Sequence, residues 1–389
     1  MTDTSDGAER SSLLLKILRE AGATPLLTSP KPDTGLAEHL PFPFLALVGQ
    51  TEMRLALLLA AINPNIGGVL LIGPRGTGKT TAVRALTDLL PDVEVSTCDE
   101  GCMPEDYERD GEAGVCTNCA AKIARGEPIT RWAPVRMVEL PLNARLEDVV
   151  GGINERIAIQ QNRVRLERGL LSRADQGLLY VDEVNLLDDP IVDAILDAAA
   201  AGSYTVRRGA AVGTYRSRFV LIGSMNPEEG SLRPQLMDRF GLRVTVRGLM
   251  ATEDRLEIYQ RVTAYRANPK AFIRRWAAAT QDAREEILAA RELLKRTTLN
   301  EKALRAGLTL VQQLDIDSHR AEFTLFEAAR AHAAADGRTE ADLYDLQVVA
   351  PLALRQRRSA YMVEFVRQQQ AEDDGIRTAL AQIAGEHHP

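Results

Sequence analysis

Three groups of residues in this 389-residue chain have the types and spacing that chemistry needs. The first is GPRGTGKT (73–80), a glycine-punctuated run ending in lysine and threonine. Gly73, Gly76 and Gly78 let the backbone curl with its N–H groups pointing at an anion, and the dipole of a following helix favours negative charge there. Lys79 would then reach the β and γ phosphates of a nucleoside triphosphate and Thr80 would offer its hydroxyl to Mg²⁺. Pro74, Arg75, Thr77 and Thr81 complete the loop and the first turn after it. The second group is Asp182 and Glu183, at the end of the apolar run LLYV (178–181). Asp182 suits the holding of Mg²⁺, directly or through water, and Glu183 suits the polarising of an attacking water. Two carboxylates at a strand end are common on their own; the phosphate loop earlier in the chain gives them the hydrolytic reading.

The third group is the entire cysteine complement, Cys98, Cys102, Cys116 and Cys119, inside CDEGCMPEDYERDGEAGVCTNC (98–119). C-x₃-C, thirteen residues and C-x₂-C offer two close pairs to a tetrahedral ion, and Zn²⁺ is the metal that four thiolates suit. The first pair is one residue wider than the commonest spacing. A thiol switch between Cys116 and Cys119 is the alternative.

A phosphate loop requires a strand before it and a helix after it. GGVLLIGP (67–74) supplies the strand, and TTAVRALTDLLP (80–91) reads as a helix that Pro91 closes. VRMVELPL (135–142), GLLYVDEV (177–184) and RFVLIGSMNP (218–227) are further apolar strands, separated by helical stretches. That alternation predicts an α/β fold, a parallel sheet covered by helices on both faces. SYTVRRGAAVGTYRSR (203–218) predicts a β-hairpin about the turn GAAVG. LALLLAAI (55–62) fits an amphipathic helix. After about Tyr265 strand signals vanish; residues 282–296, 301–314, 320–337 and 340–354 read as helices, with Gly337 capping the third. The organisation is a proline-rich extension (1–40), an α/β nucleotide-binding domain (41–265) carrying the cysteine insertion and the hairpin, and a helical lid with a tail (266–389).

Composition narrows the partners. A net charge of −7 argues against nucleic acid as the main partner, since phosphate binding favours a basic face. No apolar run is long enough for a membrane span, and MTDTSDGAERSS is unlike a secretory signal. These features, with clustered thiols, predict a cytoplasmic protein.

VGQ (48–50), the phosphate loop, LYVDEVNLLDD (179–189), GSMNPEEGSLRPQLMDRFGL (223–242) and the trailing helices resemble the AAA+ superfamily. Within it, the last string and PFPFLALVGQTEMRLALLLAAINP (41–64) are similar to the ATPase subunit I of magnesium chelatase, over most of residues 41–350. The resemblance implies a P-loop NTPase with a helical lid, using ATP and Mg²⁺. It implies nucleotide contacts near Val48 and Gln50, and a γ-phosphate sensor in Asn226. It further implies an arginine finger in Arg239, supplied to the neighbouring subunit beside Asp238, and a second sensor in Arg320 that closes the lid on the phosphates. A finger acting in trans implies a closed ring, a hexamer by family habit. The resemblance also implies two partners, an AAA+ subunit with an integrin or von Willebrand domain and a large porphyrin-binding subunit.

Some features depart from that family. Residues 151–177 stand at its helix-2 insertion but lack the aromatic and proline expected before GLL, Met225 replaces a more usual glycine, and the hairpin carries its own sequence. The four arginines between 156 and 168 suit a partner, a pore lining or a solvated face. Two clients remain open. One is Mg²⁺ insertion into protoporphyrin IX; the other is a MoxR-like or cobaltochelatase-like chaperone role with a von Willebrand partner. A DNA-acting role fits poorly with the charge and the lack of a DNA-reading element.

Overall fold

The computed structural model describes residues 40–98, 100–153, 166–209 and 211–358, and beyond them 364, 368–369 and 372–377. The N-terminal extension up to residue 39, Arg156, Arg163 and Arg165 of the insertion, and most of the tail lie outside the described residues.

Helix α1 (Thr51–Ile62) precedes β1 (Val69–Ile72), which runs into the glycine loop and α2 (Lys79–Leu86). β2 (Val93–Ser96) pairs antiparallel with β3 (Thr130–Ala133), and the cysteine segment lies between them in sequence, carrying α3 (Pro104–Asp110) and α4 (Thr117–Ala124). Then come β4 (Met137–Leu140), a small antiparallel pair β5 (Gly151–Ile153) and β6 (Leu166–Arg168), β7 (Leu178–Val181) and α5 (Asp189–Ala201). The hairpin β8 (Ser203–Arg208) and β9 (Ala211–Arg216) leads into β10 (Val220–Met225), α6 (Pro234–Arg239) and β11 (Leu242–Thr245). Helices α7 (Thr252–Ala267), α8 (Pro269–Leu294), α9 (Glu301–Gln313), α10 (His319–Ala335) and α11 (Leu343–Leu354) follow.

The main sheet runs β11–β1–β10–β7–β4, with every pairing parallel. Both faces are covered, and residue alternation along each strand decides which side chain goes where. Val69, Leu71, Leu178 and Tyr180 enter one core, and Leu70, Ile72, Leu179 and Val181 the other. The sequence predicts four of these strands and misses β11, whose LRVT carries a charge. Arg243 is nevertheless only 1% exposed, because its guanidinium donates to the carbonyls of Arg355 and Gln356 at 3.3 and 2.5 Å and of Met237 at 2.8 Å. Burial, with the nearby charge of Arg357, pushes its pKa down to about 10.

Three other expectations change. Helix α1 is not amphipathic: every residue from Met53 to Ile62 is buried, because the helix sits between the sheet and helices α8 and α10. One continuous core thus runs from Phe44 to Leu354 and joins the α/β part to the helices. The hairpin turns at Gly209 (φ 58°), so Ala211, Val212 and Gly213 belong to β9 and not to the turn. Two two-residue strands, Thr298–Leu299 and Glu340–Ala341, pair parallel among the later helices where none was expected. Gly337 (φ 72°) does follow α10, its N–H donating to Ala334 O at 3.0 Å. Among the described residues, no helix is long and apolar enough to cross a membrane.

Candidate functional site

The glycine loop sits at the C-terminal end of β1. Gly73 is there for lack of space: a Cβ would fall 2.0 Å from Val246 O, on the segment after β11. Gly76 and Gly78 have φ of 78° and 86°, the left-handed conformations that open the loop into α2. The chain's Lys79 is buried, and its Nζ donates to Gly73 O at 2.7 Å and Pro74 O at 2.8 Å. Burial lowers its pKa, and the carboxylates of Asp182, Glu183 and Glu229 partly restore it. Thr77 donates to the same Pro74 carbonyl at 3.0 Å. Gln50 Nε2 donates to Arg247 O at 2.6 Å, so the 48–50 segment stands beside the residues packed on Gly73. A cavity of about 290 Å³ opens over the loop, lined by Arg75 through Thr81, Asp182, Glu183 and β10's last residues with Asn226.

Asp182 lies opposite Thr80, at 3.5 Å from its hydroxyl. Two residues the sequence reading passed over organise this pair. Tyr180 OH lies 3.0 Å from Thr80 Oγ1 and donates to Asp182 Oδ1 at 2.9 Å; burial pushes its pKa well above the phenolic range, so it keeps its proton. Ser224, on neighbouring β10, donates to the same Asp182 oxygen. The signal for Tyr180 was positional: it stands two residues before Asp182 on one strand, hence on the same face. Thr80's hydroxyl and Asp182's carboxylate thus stand side by side at the phosphate cavity, oxygen donors of the kind an ATP-bound Mg²⁺ takes directly or through water.

Glu183 adopts φ 51°, a left-handed conformation rare for glutamate, and its carboxylate meets Arg75 Nη2 at 2.7 Å. Arg75 also bonds Glu229, Nε to Oε1 at 2.9 Å, and Asn226 Nδ2 donates to that same Glu229 oxygen at 3.1 Å. The structure therefore gathers Glu183 and Asn226 around the phosphate cavity. Arg75 and Glu229 join them as partners that no spacing rule announced.

Arg239 and Arg320 are elsewhere. Leu242 N donates to Gly68 O and Gly241 N to Gly67 O, which places the 238–241 segment at the N-terminal end of β1. β1 alone is about 13 Å long at ~3.3 Å per residue. Arg239 pairs with Asp197 at 2.6 Å and Asp193 at 3.4 Å on α5, with 29% of its side chain exposed. Arg320 is exposed at the start of α10, where Ser318 donates to Asp238 at 2.8 Å, and its charge is felt by Arg357, which binds Asp238 at 2.6 Å. Arg320 thus stands near Arg357 and Asp238 and is not among the residues that line the cavity.

The four cysteines converge. Their Sγ atoms all lie within 4.8 Å of one another, and tetrahedral Zn–S bonds of about 2.3 Å would set sulfurs about 3.8 Å apart. Cys102 and Cys119 are buried with Ile129, shielded by Val115 and Ile123. Backbone N–H groups already point at sulfur, Cys102 N at Cys98 Sγ (3.4 Å) and Cys116 N at Cys102 Sγ (3.2 Å). Burial opposes ionisation of Cys98, yet the Ser96 hydroxyl, the Cys102 N–H and the neighbouring thiols bring it down to about 7; burial pushes Cys102 up to about 11. The donor set fits a closed tetrathiolate metal site.

Parallel sheet, phosphate loop and following helices define an ATPase of the AAA+ class, which uses ATP with Mg²⁺. A family model described as "Magnesium chelatase, subunit ChlI" matches residues 44–104 and 155–237, and one described as an AAA lid domain matches 305–379. The chain is 43% identical over 316 residues to the "Magnesium-chelatase subunit ChlI homolog" of Methanocaldococcus jannaschii, covering 81% of this chain and 85% of that one. To the "Magnesium-chelatase 38 kDa subunit" of Rhodobacter capsulatus it is 44% identical over 317 residues, covering 81% and 87%. A cryo-EM-based complex of subunits BchI and BchD of magnesium chelatase contains a chain 42% identical to it, covering 84% of this chain and 99% of that one at a TM-score of 0.47. The chain belongs to the magnesium chelatase subunit ChlI family.

Proposed function

We propose that this chain is the ATP-driven motor of a magnesium chelatase, turning hydrolysis into insertion of Mg²⁺ into protoporphyrin IX on a separate porphyrin-binding subunit. The observation that carries the client is the identity of 43–44% to relatives named as magnesium-chelatase subunits. Those names also favour this client over the MoxR-like and cobalt readings. The word "subunit" in them supports further partners: an AAA+ subunit with an integrin or von Willebrand domain, and the porphyrin-binding one. We place the complex in the cytoplasm and divide the chain at about residues 40 and 265.

In this reading the loop N–H groups and Lys79 bind the phosphates, Lys79 exchanging its two loop carbonyls for phosphate oxygens. Thr80 and Asp182 hold the Mg²⁺, Glu183 takes the proton from the attacking water, and Asn226 orients it. The 48–50 segment, with Val48 and Gln50, borders the nucleotide. Arg239 and Arg320 serve the ATP of the next subunit, which their distance from this chain's own loop supports; a ring, hexameric by the resemblance, follows. The cysteines hold one structural Zn²⁺, supported by the convergence of four sulfurs and by the N–H donors aimed at two of them.

With Mg²⁺ and ATP the purified chain should release phosphate, and Glu183→Gln should keep ATP binding while turnover falls about 10²–10⁴-fold. With matched partner subunits, hydrolysis should yield Mg-protoporphyrin. ATPase activity without any such product would sink the client and leave the motor standing.

A further inference from the structure

Between Cys102 and Cys116 lies α3, which has no buried residue of its own. Seven residues are far below the length at which a helix holds by itself, roughly 12 to 15. The buried cluster beneath the module is Cys102, Cys119 and Ile129, too small to fix it. Yet this weakly supported helix makes one of the most specific contacts in the α/β part. Asp106 accepts from Met103 N at 2.9 Å and so ties the helix start to the residue after Cys102. Its two oxygens also take the two terminal nitrogens of Arg216, Nη1 at 2.8 Å and Nη2 on the other oxygen. The two side chains are 13% and 22% exposed, so the pair is largely withdrawn from water. Beside it Glu105 faces Arg218 at 3.5 Å. On the other flank a Cβ on Gly101 would fall 2.3 Å from the Arg168 guanidinium, so the cysteine loop presses on β6 as well.

Arg216 is the last residue of β9. A bidentate pair demands that both partners arrive at fixed positions, since the planar fork tolerates little displacement. The hairpin supplies one position from its pairing with β8. The other needs something to hold α3, and neither helix propensity nor core area does so. From Arg216 the chain continues through Ser217, whose hydroxyl donates to Ala198 O at 2.8 Å, into β10, and β10 ends with Ser224 and Met225 at the phosphate cavity.

We propose that the metal-filled cysteine site is a strut: it holds Asp106 where Arg216 can grip it, and so fixes the base of the β8–β9 hairpin and its exit into β10. The inference rests on the zinc reading above and gives that site a task. Asp106 and Arg216 are positioning residues, acting on the hairpin and not on nucleotide.

The test is backbone hydrogen exchange on the full chain, read peptide by peptide, with zinc measured on the same samples. Four preparations are compared: zinc-loaded, zinc-stripped by chelator under reducing conditions, Asp106→Asn and Arg216→Gln. Stripping and both variants should speed exchange over 203–216 by about tenfold while α2 is unchanged. Both variants should still carry one zinc per chain, which separates a lost grip from a lost module. Zinc-loaded protein whose hairpin exchange ignores stripping and both variants would overturn the strut while the metal site stands. A chain that takes up no zinc from solutions of the metal alone would overturn the zinc reading, and the strut with it.

Discussion

The two ends of β1 differ in what one chain can complete. At the C-terminal end the phosphate loop, Thr80, Asp182, Glu183 and Asn226 are brought together, and Tyr180 and Ser224 hold the carboxylate that faces Thr80. At the N-terminal end Asp238 gathers Ser318, Arg357 and the buried Arg243, while Arg239 and Arg320 stand on the surface around it. One end gathers the phosphate loop and two carboxylates; the other carries two cations, Arg320 exposed and Arg239 half-buried against Asp193 and Asp197. A transition state that spreads negative charge over phosphate oxygens needs both. The head-to-tail ring proposed above would bring one chain's Arg239 and Arg320 to the next chain's phosphates.

That contrast can be broken at three places. Arg239→Ala should lower turnover by about 10³–10⁵, the worth of an arginine finger, with ATP affinity of the isolated chain unchanged. Arg357→Met should destabilise by about 3 kcal/mol, the low end for breaking a buried pair because Asp238 is 30% exposed. Denaturant unfolding would measure it, and ATP binding at the other end of β1 should survive. Tyr180→Phe removes two hydrogen bonds around the Mg²⁺ ligands and should cost about 1 kcal/mol, a several-fold loss. The Mg²⁺ concentration for half-maximal ATPase should rise with it. A drop in melting temperature with no change in Mg²⁺ dependence would make Tyr180 merely structural.

The two ends were also unequally legible. GPRGTGKT and the strand ending in Asp182 and Glu183 announce themselves because spacing is the chemistry: loop, helix start and strand tip follow from local sequence. Four of five sheet strands were readable as apolar stretches, β4 despite Glu139, whose side chain faces solvent. β11 was not, because Arg243 interrupts its pattern and is buried through carbonyls from α6 and from the residues after α11, with Asp238 beside it. Helix α1 is the opposite case: LALLLAAI is apolar on every face, the pattern of a helix buried all round, and α8 and α10 cover the side that the sheet leaves. The side of the molecule on which Arg320 lies depends on the same helical packing, and Arg75's grip on Glu183 joins residues 108 positions apart. The cysteines were legible as a set, while their link to the hairpin through Asp106 and Arg216 is a long-range contact with no signature.

Mixing variant subunits tests the joined-ends account most directly. Glu183→Gln keeps its arginines and loses its base; Arg239→Ala keeps its base and loses its finger. Each alone should be nearly inactive. Mixed in equal amounts, some interfaces pair an intact Glu183 with an intact Arg239, and ATPase activity should return well above the sum of the two. Activity no higher than that sum, from subunits shown to co-assemble, would contradict the claim that the site is completed between chains.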